Sequence, residues 1–153
     1  MFVNTTYFQK WGKVFKIEFS ISVTKLPDAD WLNVFHLTGT DNNCCGHGDR
    51  IPLVSILKTG YFEVSSTVNG NGNYYKQFLF ELGKQYQMSI QQWKQNGTYW
   101  YEITIDGISK FKIENNQPKQ FSNVELYASD PWYNPFTSDF GSICNIKIQQ
   151  GTG

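Results

Sequence analysis

The chain has almost no arginine: Arg50 is the single one among 13 basic residues, and these balance 13 acidic ones. Arginine supplies most bidentate grips on phosphate and guanine, and a neutral chain exerts no long-range pull on a polyanion. Nucleic acid is therefore not an expected partner. Histidine is as scarce, with only His36 and His47, so a nucleophile–histidine–carboxylate triad has little to draw on. No run approaches the ~20 apolar residues of a membrane-crossing helix, and no membrane insertion is expected. Met1-Phe2-Val3 passes at once into Asn4, Thr5 and Thr6, which does not read as a secretory leader. Also missing are an amphipathic helix of useful length, an internal repeat and a low-complexity tract.

Cysteine is limited to Cys44, Cys45 and Cys144. An odd count cannot pair completely. Adjacent cysteines rarely bridge each other, so in an oxidising compartment the expected disulfide joins Cys44 or Cys45 to Cys144. Three reduced thiols are the alternative. The sequons at Asn4 (Asn4-Thr5-Thr6) and Asn96 (Asn96-Gly97-Thr98) mark candidate glycosylation sites and lean towards an extracellular, secreted glycoprotein.

Aromatic residues, by contrast, are abundant, at 17% with 12 Phe, 9 Tyr and 5 Trp. Such side chains suit half-buried pleated surfaces. Their pattern is that of strands. Phe15, Ile17, Phe19, Ile21 and Val23 alternate with Lys16, Glu18, Ser20, Ser22 and Thr24, which gives one apolar face and one wet face over 14–24. Trp31 to Thr38 is apolar on both faces, as in a central strand. Further strands are expected over 51–57, 61–67, 74–80, 85–93, 99–105, 109–114, 123–128 and 142–149. Asn96-Gly97 and Asp106-Gly107 stand between alternating runs as hairpin turns, and 68–73 reads as another turn. Ten or so short strands in 153 residues predict one all-β domain, a two-sheet antiparallel β-sandwich, which accommodates this many strands more easily than the alternative of an interior-filled barrel.

The stretch Leu82-Gly83-Lys84-Gln85-Tyr86-Gln87-Met88-Ser89-Ile90, followed by Tyr101-Glu102-Ile103-Thr104-Ile105-Asp106-Gly107, resembles the concanavalin A-like lectin and laminin-G superfamily. Asn123 to Tyr127 and Gly141 to Ile146 resemble its closing pair of strands. The resemblance implies a jelly roll whose last strand, 142–149, lies beside 14–24. Function does not follow from the fold, which hosts lectins, glycosidases and structural domains alike.

The hydrolases of that superfamily carry a Glu-x-Asp-x-Glu strand whose paired carboxylates act as nucleophile and acid. No such triplet occurs here, so the chain is expected not to be an enzyme. His47 beside Cys44 and Cys45 lacks the paired spacing of a structural zinc site. Asp41, Asn42, Asn43 and Asp49 offer hard oxygens in one loop, with Asp130 and Asp139 approaching from others. Domains the chain resembles often hold calcium at a rim, and these residues are a candidate calcium site as well as ordinary turn formers.

Sugar binding needs an aromatic platform and planar acceptors. Asp130, Trp132, Tyr133 and Asn134 place these types together. The alternative for Trp132 is a plug at the end of the sandwich. Trp11, Trp31 and Trp93 read mostly as core. Trp100 shares a face with Glu102 and Thr104 and is a second candidate platform. The expected function is recognition of carbohydrate or a glycosylated partner outside the cell. A self-associating structural or adhesion subunit is the alternative.

Overall fold

The computed structural model describes residues 5–128 and 130–151. Among them there is no helix, and so none long and apolar enough to cross a membrane. Twelve strands follow the chain: β1 (Thr5–Trp11), β2 (Phe15–Val23), β3 (Trp31–Thr38), β4 (Leu53–Leu57), β5 (Tyr61–Val68), β6 (Asn71–Leu79), β7 (Gln85–Gln95), β8 (Thr98–Ile105), β9 (Ile108–Glu114), β10 (Phe121–Tyr127), β11 (Asn134–Pro135) and β12 (Gly141–Gln150). They form a seven-stranded sheet, in the order β1-β10-β3-β4-β5-β6 with β11 added beside β3, and a five-stranded sheet, β12-β2-β7-β8-β9. Every pairing is antiparallel except the short contact of β11 with β3.

The alternation in β2 does what the sequence requires. Ile17, Phe19 and Ile21 are fully buried, while Lys16 and Glu18 on the opposite face form a partly exposed ion pair. The facing sheet supplies Val34, Phe35, Val54, Ile56, Phe62 and Val64. Phe19 of one sheet meets Phe35 of the other edge-on, with ring centroids 5.1 Å apart, a favoured aromatic geometry. β12 pairs along β2 from Gly141↔Val23 to Gln150↔Phe15, so the last long strand does return beside 14–24.

The hairpins turn where Asn-Gly and Asp-Gly stand. Asn96 and Gly97, and likewise Asp106 and Gly107, all adopt positive φ, as two-residue turns matched to strand twist require. The expected turn over 68–73 contracts to Asn69-Gly70, both at positive φ, and β6 already begins at Asn71. Two strands escaped the sequence reading. β1 (TTYFQKW) does not alternate cleanly between apolar and polar residues and is held by pairing along β10; β11 has only two residues. Periodicity cannot detect either.

The cysteine pairing differs from expectation. Cys44 and Cys45 stand side by side in the 39–52 loop, out of reach of Cys144, which is free and exposed. The reason is placement: Cys144 sits on β12 in the five-stranded sheet, whereas the 39–52 loop packs on the far face of the other sheet.

Candidate functional site: a pocket on the outer face of the seven-stranded sheet

Register decides which side chains leave the core. The row Leu32, Ile56, Phe62, Phe78 points inwards. The next row, Asn33, Ser55, Glu63, Gln77, points outwards. Leu53, Ser65 and Tyr75 form another outward row, and Trp31 and Asn73 lie two residues along their strands on the same face. This face is not open. The segments 39–52 and 130–136 cross it and wall a cavity of about 300 Å³, lined by Trp31, Cys44, Arg50, Glu63, Tyr75 and Tyr133 among others. That volume is at the small end for ligand pockets.

Arg50 is the centre of the site. It is only 6% exposed, and its guanidinium is held on three sides. Nε donates to the Asn43 carbonyl (3.1 Å), one terminal nitrogen to Asn73 Oδ1 (2.7 Å), and the other to the Tyr133 hydroxyl (3.0 Å). Ser65 Oγ donates to the same Asn73 oxygen (2.6 Å). Trp31, 43% exposed, stands with its ring centroid 6.4 Å from that of Tyr133. Tyr75 is half exposed opposite them. Aromatic faces, amides and a fixed cation thus share one cavity.

The two walls are tied together beneath the surface by His36 and Asp130, whose side chains are both fully buried. His36 Nε2 donates to the Asp49 carbonyl (2.7 Å), which fixes the residue before Arg50. Nδ1 faces Asp130 Oδ2 at 3.0 Å. The other carboxylate oxygen accepts from the Trp132 and Tyr133 backbone N–H groups (3.1 and 2.9 Å), and the Asp130 N–H donates to Asn33 Oδ1 (2.9 Å). One buried pair therefore sets the position of both Arg50 and Tyr133.

The residues singled out from sequence fall in different places. Tyr133 lines the pocket. Asp130 lies beneath it as the anchor just described. Trp132 is half-buried against His36 and Tyr127, at 5.4 and 5.8 Å, and covers the anchor. Asn134 is exposed in β11. Trp100 is on the outer face of the other sheet, opposite Trp93 and under the Lys112 ammonium. Trp31, expected in the core, is instead a pocket wall. Arg50, Asn73, Glu63 and Gln77 were not singled out at all. Arg50 as the sole arginine beside a cysteine- and glycine-rich loop was the one available signal.

The candidate calcium residues are engaged locally. Asp49 is buried, and its carboxylate accepts from the Gly46 N–H (2.6 Å) and the Thr40 hydroxyl. Asp41 accepts from the Tyr127 hydroxyl, which also bonds Glu125. Asn43 contributes its carbonyl to Arg50. Asn42 and Asp139 are exposed. Among the described residues no group of three or more His, Cys, Asp or Glu side chains is placed to hold a metal ion. Asn96 is exposed at its hairpin turn, while Asn4 lies outside the described residues.

No family model and no curated protein sequence matches the chain. Solved structures do. Alginate lyase A1-II' superposes with a TM-score of 0.57 at 16% identity, over 93% of this chain and 65% of the lyase. The native heptameric SAP-like pentraxin from Limulus polyphemus gives 0.59 at 14% identity, over 99% of this chain and 72% of the pentraxin. The CBM40 of a Ruminococcus gnavus IT-sialidase, bound to α2,3-sialyllactose, gives 0.56 at 16% identity, over 90% and 75%. The chain spans less than two thirds of the lyase. The fold is the concanavalin A-like jelly roll these proteins share. One expectation is overturned: the missing Glu-x-Asp-x-Glu strand does not make this chain a non-enzyme, because alginate lyases are built on the same fold.

Proposed function

We propose that the chain is a carbohydrate-recognition domain whose site is the pocket between the 39–52 and 130–136 segments. The observation that carries this reading is the convergence, in one cavity, of exposed Trp31 and Tyr75 and half-buried Tyr133 with the amides of Asn73 and Gln77. A pyranose presents a polarised C–H face and a rim of hydroxyls. The first stacks on an aromatic ring; the second needs donors and acceptors already fixed in direction, since loose ones must be ordered on binding. Arg50 and the network around it hold Asn73 and Tyr133 in that state. The fold's use for sialyllactose binding in one neighbour and by lyases in others supports the choice of sugars.

The test is a glycan array followed by calorimetric titration of each hit, with wild type and Trp31→Ala. Loss of binding in the variant, with unchanged unfolding, is expected. Retained affinity in Trp31→Ala, or no hit on the array, overturns the proposal. Each hit is also incubated with the protein and followed for chain cleavage, which reads directly whether the same pocket performs chemistry.

A further inference from the structure

We infer that this pocket is specific for sugars carrying a carboxylate, which would seat on Arg50; the inference rests on the carbohydrate reading above and adds the chemical class of the ligand. It starts from an imbalance of charge. Burying a cation is costly unless an opposite charge or a full set of acceptors compensates it. The ion pairs among the described residues are Lys16–Glu18, Lys58–Asp30 and His36–Asp130. Arg50 has none, though it is among the most buried charged side chains in the chain.

Its acceptors are all neutral: a carbonyl, an amide oxygen and a phenol. A guanidinium has five N–H donors in a rigid fork. Three are engaged here, and two remain on a group that lines the cavity. A carboxylate is the acceptor that such a fork binds best. The Tyr133 hydroxyl accepts from Arg50 and keeps its own proton to donate to the same ligand group.

Glu63 is the one acid in the lining. Its carboxylate accepts from Gln77 Nε2 at 2.8 Å and is not among the ion pairs of the described residues, so it lies beyond ion-pair distance of Arg50. The cavity is thus polarised, positive at the Arg50–Tyr133 end and negative at the Glu63–Gln77 end. An acidic sugar would enter with its carboxylate on Arg50 and its neutral hydroxyls towards Glu63.

The experiment compares each acid sugar with its own carboxyl-reduced form. A uronate trisaccharide and α2,3-sialyllactose, intact and reduced, are titrated calorimetrically into the whole chain. The expected result is at least about tenfold tighter binding of the acid form in one series or both, the worth of one charge-assisted contact; which series responds identifies the source of the carboxylate. Arg50→Gln should erase that preference. Because Arg50 also braces both loops, Glu63→Gln supplies a second reading from the pocket rim. It removes the like charge and should raise the ratio of acid-form to reduced-form affinity several-fold, whatever it does to both forms through their shared hydroxyls. Equal affinity of acid and reduced forms, or a Glu63→Gln variant that affects both alike, overturns the inference while the carbohydrate reading stands. Failure of every sugar to bind overturns both.

Discussion

The two outer faces of this sandwich carry the same raw materials to different ends. Each presents tryptophan, glutamine and glutamate on pleated strands, with a cation beside them: Lys112 of β9 on one face and Arg50 of the 39–52 loop on the other. On the five-stranded face, Trp93 and Trp100 pair across β7 and β8, and Lys112 lies over both rings at 5.2 and 4.8 Å. Gln91 bonds Glu102, and Ser89 bonds Thr104. The cross-strand neighbours satisfy one another. On the seven-stranded face two loops rise over the strands, bury a cation without a counter-ion and hold three aromatic rings around a cavity. Residue types do not distinguish a decorated sheet surface from a site. What does is whether the neighbours already satisfy one another's charge and hydrogen bonds.

The largest way to break this contrast is at the buried anchor. Asp130→Ala leaves the His36 ring and two backbone N–H groups without their acceptor. It should cost about 3–5 kcal/mol by denaturant unfolding, and should abolish sugar binding because Tyr133 is released. Next is Gly72→Ala. A Cβ there would lie under 3.0 Å from the backbone of Cys45 and Gly46, so the loop carrying Arg50 must shift. A loss of about 1–3 kcal/mol with weakened sugar affinity is expected; unchanged affinity would show that the loop does not shape the pocket.

The comparison sharpens with paired tryptophan variants. Trp31→Ala should reduce sugar affinity by about tenfold or more, the scale of an aromatic anchor, with little change in melting temperature. Trp100→Ala should leave affinity alone and lose about 0.5–1 kcal/mol of cation–π stabilisation from Lys112, beyond packing. The opposite result would move the site to the other sheet. The smallest effect concerns pH. Burial, and then the Lys119 charge, hold the His47 imidazole below its ordinary range. The folded state therefore binds its proton less readily than the unfolded chain. The associated stability is present above the ordinary histidine range and declines as pH falls through it. His47→Gln should flatten that slope slightly in thermal melts taken across the weakly acidic range.

Much of the fold was legible in the residues. Ile17, Phe19 and Ile21 could only be an inward face, and Asn-Gly and Asp-Gly could only be tight turns. Trp31 was misjudged because it opens a strand that is apolar on both faces: alternation assigns faces relative to one another but does not say which face lies under a loop. Cys44 and Cys45 were misjudged because pairing depends on what else lies within reach, and Cys144 is on the other sheet. The site was the least legible part. Of the four residues picked from the aromatic loop only Tyr133 reaches the cavity, and Arg50 gave no local signal beyond its rarity.

By itself, then, the sequence determined the inward-facing rows and the turns between strands, since period-two alternation and positive-φ turns are local physics, while the closing of the last strand on β2 was implied only by the resemblance to the concanavalin A-like superfamily. Only the tertiary structure decided that segments about 80 residues apart meet over one sheet, with His36 and Asp130 joining them and Arg50 left uncompensated between them. Burial and hydrogen-bond balance are properties of the assembled chain, and no stretch of sequence contains them.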